Sequence, residues 1–298
     1  HMVEDVRFTT YKCWDEYGDL SGFDIEMITQ AAHEAGFDFI EFVPRPWSSY
    51  PIEDREYLSL LIDLVVGVSD GLSAGMSITE ERLAVVDMVG PIYKAGKKLM
   101  ARTDNARISE ERLGRLLEVP TSGYDALAGL SVVTQAPSIR SDFFRELEAT
   151  HPDLVEYLEV DADGQITTLQ SEDTLQVLEV DEFSIINDFI DGQMSDPIHG
   201  RVFDFVMIDT GSTKSLIDEG KLGIDTDIVT GNLSADPEIG RVFGTGDGIS
   251  FAKTNTAMTG RFRPIIARMV LDGRVDALVE QWFADDNAAD PSWATALE

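Results

Sequence analysis

The sequence has 298 residues, of which 43% are hydrophobic and 26% are charged, so it can bury the cores of two domains. Its 55 acidic and 23 basic residues give a formal charge of −32, which disfavours nucleic acids and anionic membrane surfaces as partners. The acidic residues are spread along the whole chain, as in either a halophilic or marine protein or an acidic exported one. Cys13 is the single cysteine, so no internal disulfide forms.

The sequence contains no candidate transmembrane helix. Its longest apolar runs, such as residues 58–68, are interrupted by Asp63 and fall short of the roughly 18 to 20 residues that span a bilayer. The opening His1-Met2 and the closing Leu297-Glu298 resemble cloning remnants, so we expect that a native signal or anchor has been removed.

The first third of the chain alternates helix and strand. Residues 22–43 place apolar side chains on one helical stripe, stop at Gly36 and continue as a Phe-rich strand. Residues 63–75 have the composition of a short buried strand that ends in a loop. The same alternation continues further along the chain.

Residues 127–151 predict a strand, a Pro-Ser break and a helix for which Ser138 is a good N-cap. Residues 201–220 predict a strand that ends at Asp209, followed by a turn and a helix. A last helix is predicted from apolar residues at helical spacing: Val275, Leu278, Val279, Trp282 and Phe283. This alternation indicates α/β organisation with largely parallel sheets, whose ligands bind beyond the carboxyl ends of the strands.

The stretch "AGMSITEER" (74–82) contains the most informative charge pattern. Thr79 can cap a helix whose first turn holds Glu80, Glu81 and Arg82. Acidic residues suit the positive end of a helix, whereas an arginine there is unfavourable unless it meets an anion. Arg82 therefore either pairs with nearby glutamates or forms, with neighbouring backbone and hydroxyl donors, a receptor for a carboxylate.

Several stretches together resemble the family 3 extracellular solute-binding proteins, the periplasmic amino-acid-binding components of ABC transporters. The resemblance is most specific over residues 70–93 and covers most of the chain. It is carried by "GFDIEMITQAAHEAGFDFIEF" (22–42), Trp47, "GVSDGLSAGMSITEERLAVVDMVGPIY" (67–93), "VFDFVMID" (202–209), "GDGISFAK" (246–253) and "LDGRVDALVEQWF" (271–283).

The resemblance implies a two-lobed α/β fold of the periplasmic-binding-protein type (type II). Each lobe has a mixed, mainly parallel sheet flanked by helices, and two crossing segments form the hinge. Lobe 1 is expected to comprise residues 3–100 and 236–298, and lobe 2 residues 101–235, which is longer than usual for the family.

The resemblance also assigns roles to single residues. The family's ligand-carboxylate arginine falls on Arg82, and its ammonium-binding aspartate falls on Asp209. Its backbone and hydroxyl donors fall on Ala74, Gly75 and Ser77, and its aromatic wall falls on Trp47, with Tyr11, Trp14 or Tyr17 as candidates for a second wall.

The sequence departs from the family in "TQAPSIR" (134–140), where the family has Gly-Thr. Ser138 can replace the hydroxyl, whereas Pro137 has no amide proton to donate. Residues 159–170 resemble part of a calcium loop, but Glu159 and Gln170 occupy its first and last positions, so we interpret the segment as an acidic turn.

The resemblance implies that the protein captures a small zwitterion, an amino acid or close derivative, in the cleft between its lobes and delivers it to an ABC permease. It implies a periplasmic or extracytoplasmic monomer with no catalytic residue, metal or cofactor. Two alternatives remain open: the sensor domain of a membrane receptor, and a dehydratase acting on prephenate-like acids.

Overall fold

The computed structural model describes residues 5–11, 20–45, 49–52, 55–136, 138–159, 171–180, 203–209, 226–283, 288–289 and 292–295. The chain divides into two compact units: residues 1–95 and 244–298 form unit 1, and residues 96–243 form unit 2. Within the described residues, no helix is both long enough and apolar enough to cross a membrane.

The described strands, in chain order, are β1 (Asp5–Tyr11), β2 (Phe39–Arg45), β3 (Ser49–Ile52), β4 (Arg55–Leu58), β5 (Gly71–Ser77), β6 (Val86–Lys94), β7 (Lys97–Arg102), β8 (Ser131–Gln135), β9 (Val155–Tyr157), β10 (Leu175–Val180), β11 (Phe205–Asp209), β12 (Thr226–Ile228), β13 (Asp247–Ala252) and β14 (Ala288–Ala289). The described α-helices are α1 (Phe23–Glu34), α2 (Ser59–Val65), α3 (Glu80–Val85), α4 (Glu110–Leu117), α5 (Ile139–Thr150), α6 (Thr256–Leu271), α7 (Arg274–Trp282) and α8 (Ser292–Thr295).

Unit 1 contains a mixed sheet with the strand order β14-β6-β13-β5-β1-β2. β1 pairs in parallel with β2 and β5, whereas β13 pairs antiparallel with β5 and β6. The predicted helix over the amino-terminal stripe is confirmed as α1, and Gly36 after it adopts φ +84°, a conformation that favours glycine. In the core, the ring of Phe262 on α6 packs against Phe8 and Phe251 of the sheet.

Unit 2 contains a second mixed sheet with the order β12-β7-β11-β8-β10-β9. β8 pairs in parallel with β10 and β11, and β7 pairs antiparallel with β11. α5 packs on this sheet through Phe143, Phe144 and Leu147, which are fully buried. The predicted strand and amphipathic helix of residues 127–151 are therefore confirmed as β8 and α5.

In each sheet a parallel strand ends opposite the start of an antiparallel neighbour. In unit 1, Ser77 at the end of β5 pairs with Asp247 at the start of β13. In unit 2, Asp209 at the end of β11 pairs with Lys97 at the start of β7. Because the carboxyl ends of strands are where α/β sheets bind ligands, these two places are the candidate functional regions.

Candidate functional site

Most of the unit 1 residues predicted to bind a carboxylate lie in residues 74–79, which comprise the end of β5 and the turn before α3 and are called the β5 loop. Gly75 has φ +58°, so only glycine fits this backbone without strain, and a Cβ added there would approach the Tyr93 hydroxyl to 3.7 Å. Ala74 is partly buried beside it, and Ser77 is 3% exposed.

Arg82 lies in the first turn of α3. Thr79 caps this helix, as predicted, by accepting from the Arg82 amide at 3.3 Å. The guanidinium turns back toward β5, where Nη1 donates to the Ser77 carbonyl at 2.8 Å. This contact holds the Arg82 side chain against the β5 loop. The backbone and hydroxyl groups of that loop are the ones predicted to bind the ligand carboxylate together with Arg82.

Two aspartates support the loop from inside unit 1. The Asp24 carboxylate accepts hydrogen bonds from the Ser73 hydroxyl and from the Gly75 amide. The Ser77 hydroxyl donates to Asp247 at 2.6 Å, so this hydroxyl is committed to a protein acceptor. Burial raises the pKa of Asp24 to about 6, the Ser73 bond opposes that shift, and the charge of Asp247 adds to it.

The corresponding place in unit 2 centres on Asp209. The Lys97 ammonium contacts its Oδ1 at 2.7 Å, and the Arg140 guanidinium contacts its Oδ2 at 2.5 Å. Lys97 is 3% exposed and the Arg140 side chain 12%, so this ion cluster is largely withdrawn from water. Burial alone raises the pKa of Asp209, but Arg140 and Lys97 outweigh it and lower the pKa to about 2.

Ser138 begins α5 and acts as its N-cap, as predicted. Its hydroxyl accepts from the amides of Arg140 and Ser141 and donates to the Gln135 carbonyl at 2.5 Å. Ser141 completes a capping box by accepting from the Ser138 amide at 3.1 Å. The Ser138 hydroxyl is therefore used within the protein.

Two polar side chains at the end of β8 are buried without hydrogen-bond partners. Thr134 is 1% exposed and its Oγ1 has no partner, and Gln135 is 3% exposed with neither amide atom bonded. A buried polar group without a partner destabilises a fold unless a ligand or water satisfies it. These groups therefore mark the carboxyl end of β8 as a place where a polar ligand would be stabilised.

Several residues of the predicted site are not among the described residues. Trp14, Tyr17, Trp47 and Pro137 lie outside the described residues, as do residues 160–170 of the acidic turn. Tyr11 ends β1, but its side chain is not among those described. The aromatic walls of the site and the acidic turn therefore stay predictions.

The sequence reasoning did not identify the residues that contact the predicted ones: Asp24, Ser73, Asp247, Lys97 and Arg140. Asp24 lies in "GFDIEM" and Asp247 in "GDGISFAK", two stretches that carry the family resemblance, but the resemblance assigns no role to either residue. Within the described part of the chain, no group of three or more His, Cys, Asp and Glu side chains could hold a metal ion.

Solved structures with a similar fold are chiefly amino-acid-binding proteins. An ancestral arginine-binding protein bound to arginine is 22% identical, with a TM-score of 0.63, covering 95% of this chain and 100% of that chain. A periplasmic His/Glu/Gln/Arg/opine family-binding protein from Silicibacter pomeroyi in complex with lysine is 20% identical, with a TM-score of 0.59, covering 95% and 99%. The ancestral amino-acid-binding protein AncCDT-1, a precursor of cyclohexadienyl dehydratase, is 18% identical, with a TM-score of 0.61, covering 94% and 96%.

At these identities the likeness concerns the fold, and it confirms the predicted α/β architecture with two mixed sheets flanked by helices. A search of curated proteins found no match to the sequence. The sequence matches the bacterial extracellular solute-binding proteins, family 3, over residues 4–285, and the chain therefore belongs to that family.

Proposed function

We propose that this protein is an extracytoplasmic binding protein that captures an amino acid or a close derivative and delivers it to an ABC permease. In this proposal the contacts to the ligand α-carboxylate lie in unit 1. The observation that carries the proposal is Arg82, whose guanidinium is held at 2.8 Å on the Ser77 carbonyl beside the β5 loop.

The chemistry of this loop suits a carboxylate. Arginine presents five N–H donors in a planar fork that matches the two oxygens of a carboxylate. Gly75 lets the backbone approach a ligand closely, since it carries no side chain at a position with positive φ. The Asp24 bonds to Ser73 and Gly75 hold the loop in place before a ligand arrives, which lowers the entropy lost on binding.

Ligand identification is the first experiment. Mass spectrometry of small molecules released from the purified protein is followed by thermal-shift assays with amino acids and related betaines in high salt. We expect at least one amino acid to raise the melting temperature, because a ligand that binds only the folded state stabilises it. A panel in which no compound changes the melting temperature would contradict the proposal.

Arg82→Ala then tests the assigned carboxylate contact by calorimetry. We expect roughly a hundredfold or greater loss of affinity, as when a charge-assisted contact is removed. Arg268→Ala is the matched control, because Arg268 is a 59% exposed side chain of the same unit that pairs with Glu34 on the surface. Circular dichroism checks that both variants stay folded; near wild-type binding by Arg82→Ala would remove the site assignment.

A dehydratase is the second candidate, and one observation favours it. Such an enzyme needs a positioned proton donor, and Asp24 is a partly buried carboxyl group whose pKa is raised by desolvation to about 6. Incubation with prephenate, followed by absorbance and mass spectrometry, distinguishes the candidates. For a binding protein we expect no product; turnover that is lost in Asp24→Asn would favour the enzyme.

A further inference from the structure

The segment at which the chain re-enters unit 1 lies against the β5 loop. Unit 2 ends at residue 243, and residues 244–247, here called the return segment, read "GTGD" and end at the first residue of β13. Two backbone hydrogen bonds join this segment to Ile78. The Ile78 amide donates to the Gly246 carbonyl at 2.7 Å, and the Thr245 amide donates to the Ile78 carbonyl at 3.1 Å. Both peptide groups of Ile78 are therefore held by the return segment.

Ile78 stands between the two groups that anchor Arg82. The Ser77 carbonyl accepts from the Arg82 guanidinium at 2.8 Å, and the Thr79 hydroxyl accepts from the Arg82 amide at 3.3 Å. The return segment also contacts Ser77 directly, since the Ser77 hydroxyl donates to Asp247 at 2.6 Å. Because Ile78 is covalently linked to Ser77 and Thr79, a displacement of its peptide groups moves both anchors of Arg82.

Gly244 leaves no room for a side chain beside Ile78. Its φ is +72°, and a Cβ built there would lie 2.2 Å from the Ile78 carbonyl oxygen. Carbon and oxygen atoms that are not bonded to each other stay about 3.3 Å or more apart, so this carbonyl would have to move by roughly 1 Å. The oxygen belongs to the backbone and cannot turn aside as the end of a side chain can. An alanine at position 244 would therefore displace the β5 loop itself.

The side chain of Ile78 packs into a slot between two further glycines. A Cβ built at Gly90 would lie 3.1 Å from its Cδ1, and one built at Gly248 would lie 2.9 Å from the same atom. Ile78 is 8% exposed and belongs to the hydrophobic cluster that contains Met76 and Met88. Glycine on both sides therefore lets this branched side chain pack closely against the sheet and hold its own backbone in place.

We propose that the return segment positions the β5 loop for ligand binding, with Gly244 permitting the close contact and Ile78 transmitting it to Arg82. This inference rests on the proposed function, because it takes the ligand carboxylate to bind at Arg82. Gly244 and Ile78 act as positioning residues, which need not touch the ligand. A binding site must be held within about 0.5 Å of its productive geometry, so a displaced Ile78 should lower affinity even in a chain that stays folded.

Gly244→Ala tests the inference by calorimetry on the whole chain. The probes are the common L-amino acids, tested singly, and affinities are compared for each one that binds the wild-type chain. We expect about a tenfold or greater loss of affinity, because the Arg82 guanidinium leaves the geometry that matches a carboxylate.

Gly273→Ala is the matched control for Gly244→Ala. Gly273 belongs to the same unit and has φ +83°, but nothing lies within 4 Å of a Cβ built there. The control thus has a similar backbone strain without the contact to the β5 loop. We expect its affinity to stay within about threefold of wild type, since the strain is local to residue 273.

Two isoleucine variants separate positioning from a general loss of stability. Ile78→Ala empties the slot between the glycines, and we expect about a fivefold or greater loss of affinity, because residue 78 can then move. Ile266→Ala is its control, since Ile266 on α6 is fully buried in the core of the same unit. Removing that side chain should lower the urea midpoint but leave affinity within about threefold of wild type.

The outcomes separate this inference from the proposed function. A folded Gly244→Ala variant that binds within about threefold of wild type, while Arg82→Ala does not bind, overturns this inference alone. An affinity loss in Ile78→Ala no larger than that in Ile266→Ala also overturns it. Absence of binding of every amino acid to the wild-type chain overturns both. If Gly244→Ala is unfolded by circular dichroism, the two isoleucine variants decide.

Discussion

The two units carry a pair of facing residues at the same point of their sheets, but the pair in unit 1 has a single acidic side chain and the pair in unit 2 is an ion pair. In unit 1, the last residue of β5 faces an aspartate, as Ser77 pairs with Asp247. In unit 2, the last residue of β11 faces a lysine, as Asp209 pairs with Lys97. The strand geometry is shared, so the fold determines where the polar groups lie and the side chains determine which charge they present.

The arginines show the same contrast. In unit 1, Arg82 bonds to the backbone carbonyl of Ser77, while acidic groups support the neighbouring loop. In unit 2, Arg140 bonds directly to a carboxylate, that of Asp209. The described Arg82 contact is to a neutral acceptor, and the described Arg140 contact is an ion pair.

Removing the Asp209 carboxylate of unit 2 is expected to have the largest effect on the free energy of unfolding. Asp209→Asn leaves Lys97 and Arg140 without this counter-ion, and such losses cost about 3 kcal/mol or more of the free energy of unfolding. Urea unfolding followed by circular dichroism measures the difference. Asp104→Asn is the control, because Asp104 pairs with Arg102 on the surface of the same unit and its loss should change little.

Asp24 of unit 1 should make the free energy of unfolding depend on pH in the opposite sense from a carboxylate that is paired with a cation. The folded protein keeps the Asp24 proton up to pH about 6, whereas the unfolded chain releases it near the ordinary value of 3.8. The folded state thus binds more protons between these values, and stability falls as pH rises from about 4 to about 6, by about 3 kcal/mol.

Asp24→Asn isolates this contribution. The amide oxygen can still accept from the Ser73 hydroxyl, but it does not titrate. The unfolding free energy of the variant minus that of the wild type should therefore rise between pH 4 and pH 6 and level off above. A difference that stays flat over that range would mean that Asp24 is ionised throughout it.

Loss of a helix cap, at α5 in unit 2 or at α3 in unit 1, should have the smallest effect on the free energy of unfolding. Ser138→Ala removes a side chain that accepts from two α5 amides, and should lower the free energy of unfolding by about 1 kcal/mol. Thr79→Ala removes a single 3.3 Å bond at the start of the six-residue α3 and should cost less. Urea unfolding of both variants measures the order, and a larger loss for Thr79→Ala would contradict it.

Features that depend on neighbouring residues were predictable from the sequence. The caps Thr79 and Ser138 are Ser/Thr residues directly before helical patterns, and both cap as predicted. α1 and α7 follow apolar spacing, and α7 buries Val275, Leu278 and Val279. Such signals are local because capping bonds and helical stripes span only a few residues.

The ionic partners of Asp209 were not predictable from the sequence, because they depend on pairing across the sheet and on packing against α5. Asp209 was interpreted without Lys97, since nothing in the local sequence indicates that β7 and β11 are neighbours. The bond from Ser77 to Asp247 joins residues that are 170 positions apart. In "TQAPSIR" the sequence departs from the family at Pro137, which has no amide proton. The residue of this stretch with a described contact to Asp209 is Arg140.

The strand order of unit 1 has a consequence for the route by which the chain folds. β13 lies between β5 and β6, yet it follows all of unit 2 in the chain. During synthesis unit 2 is therefore complete while the sheet of unit 1 still lacks its central strand, and the facing edges of β5 and β6 have no partner until residues 247–252 arrive. Unpaired edges invite pairing with other chains, so the interval before β13 inserts is when this protein is most exposed to aggregation.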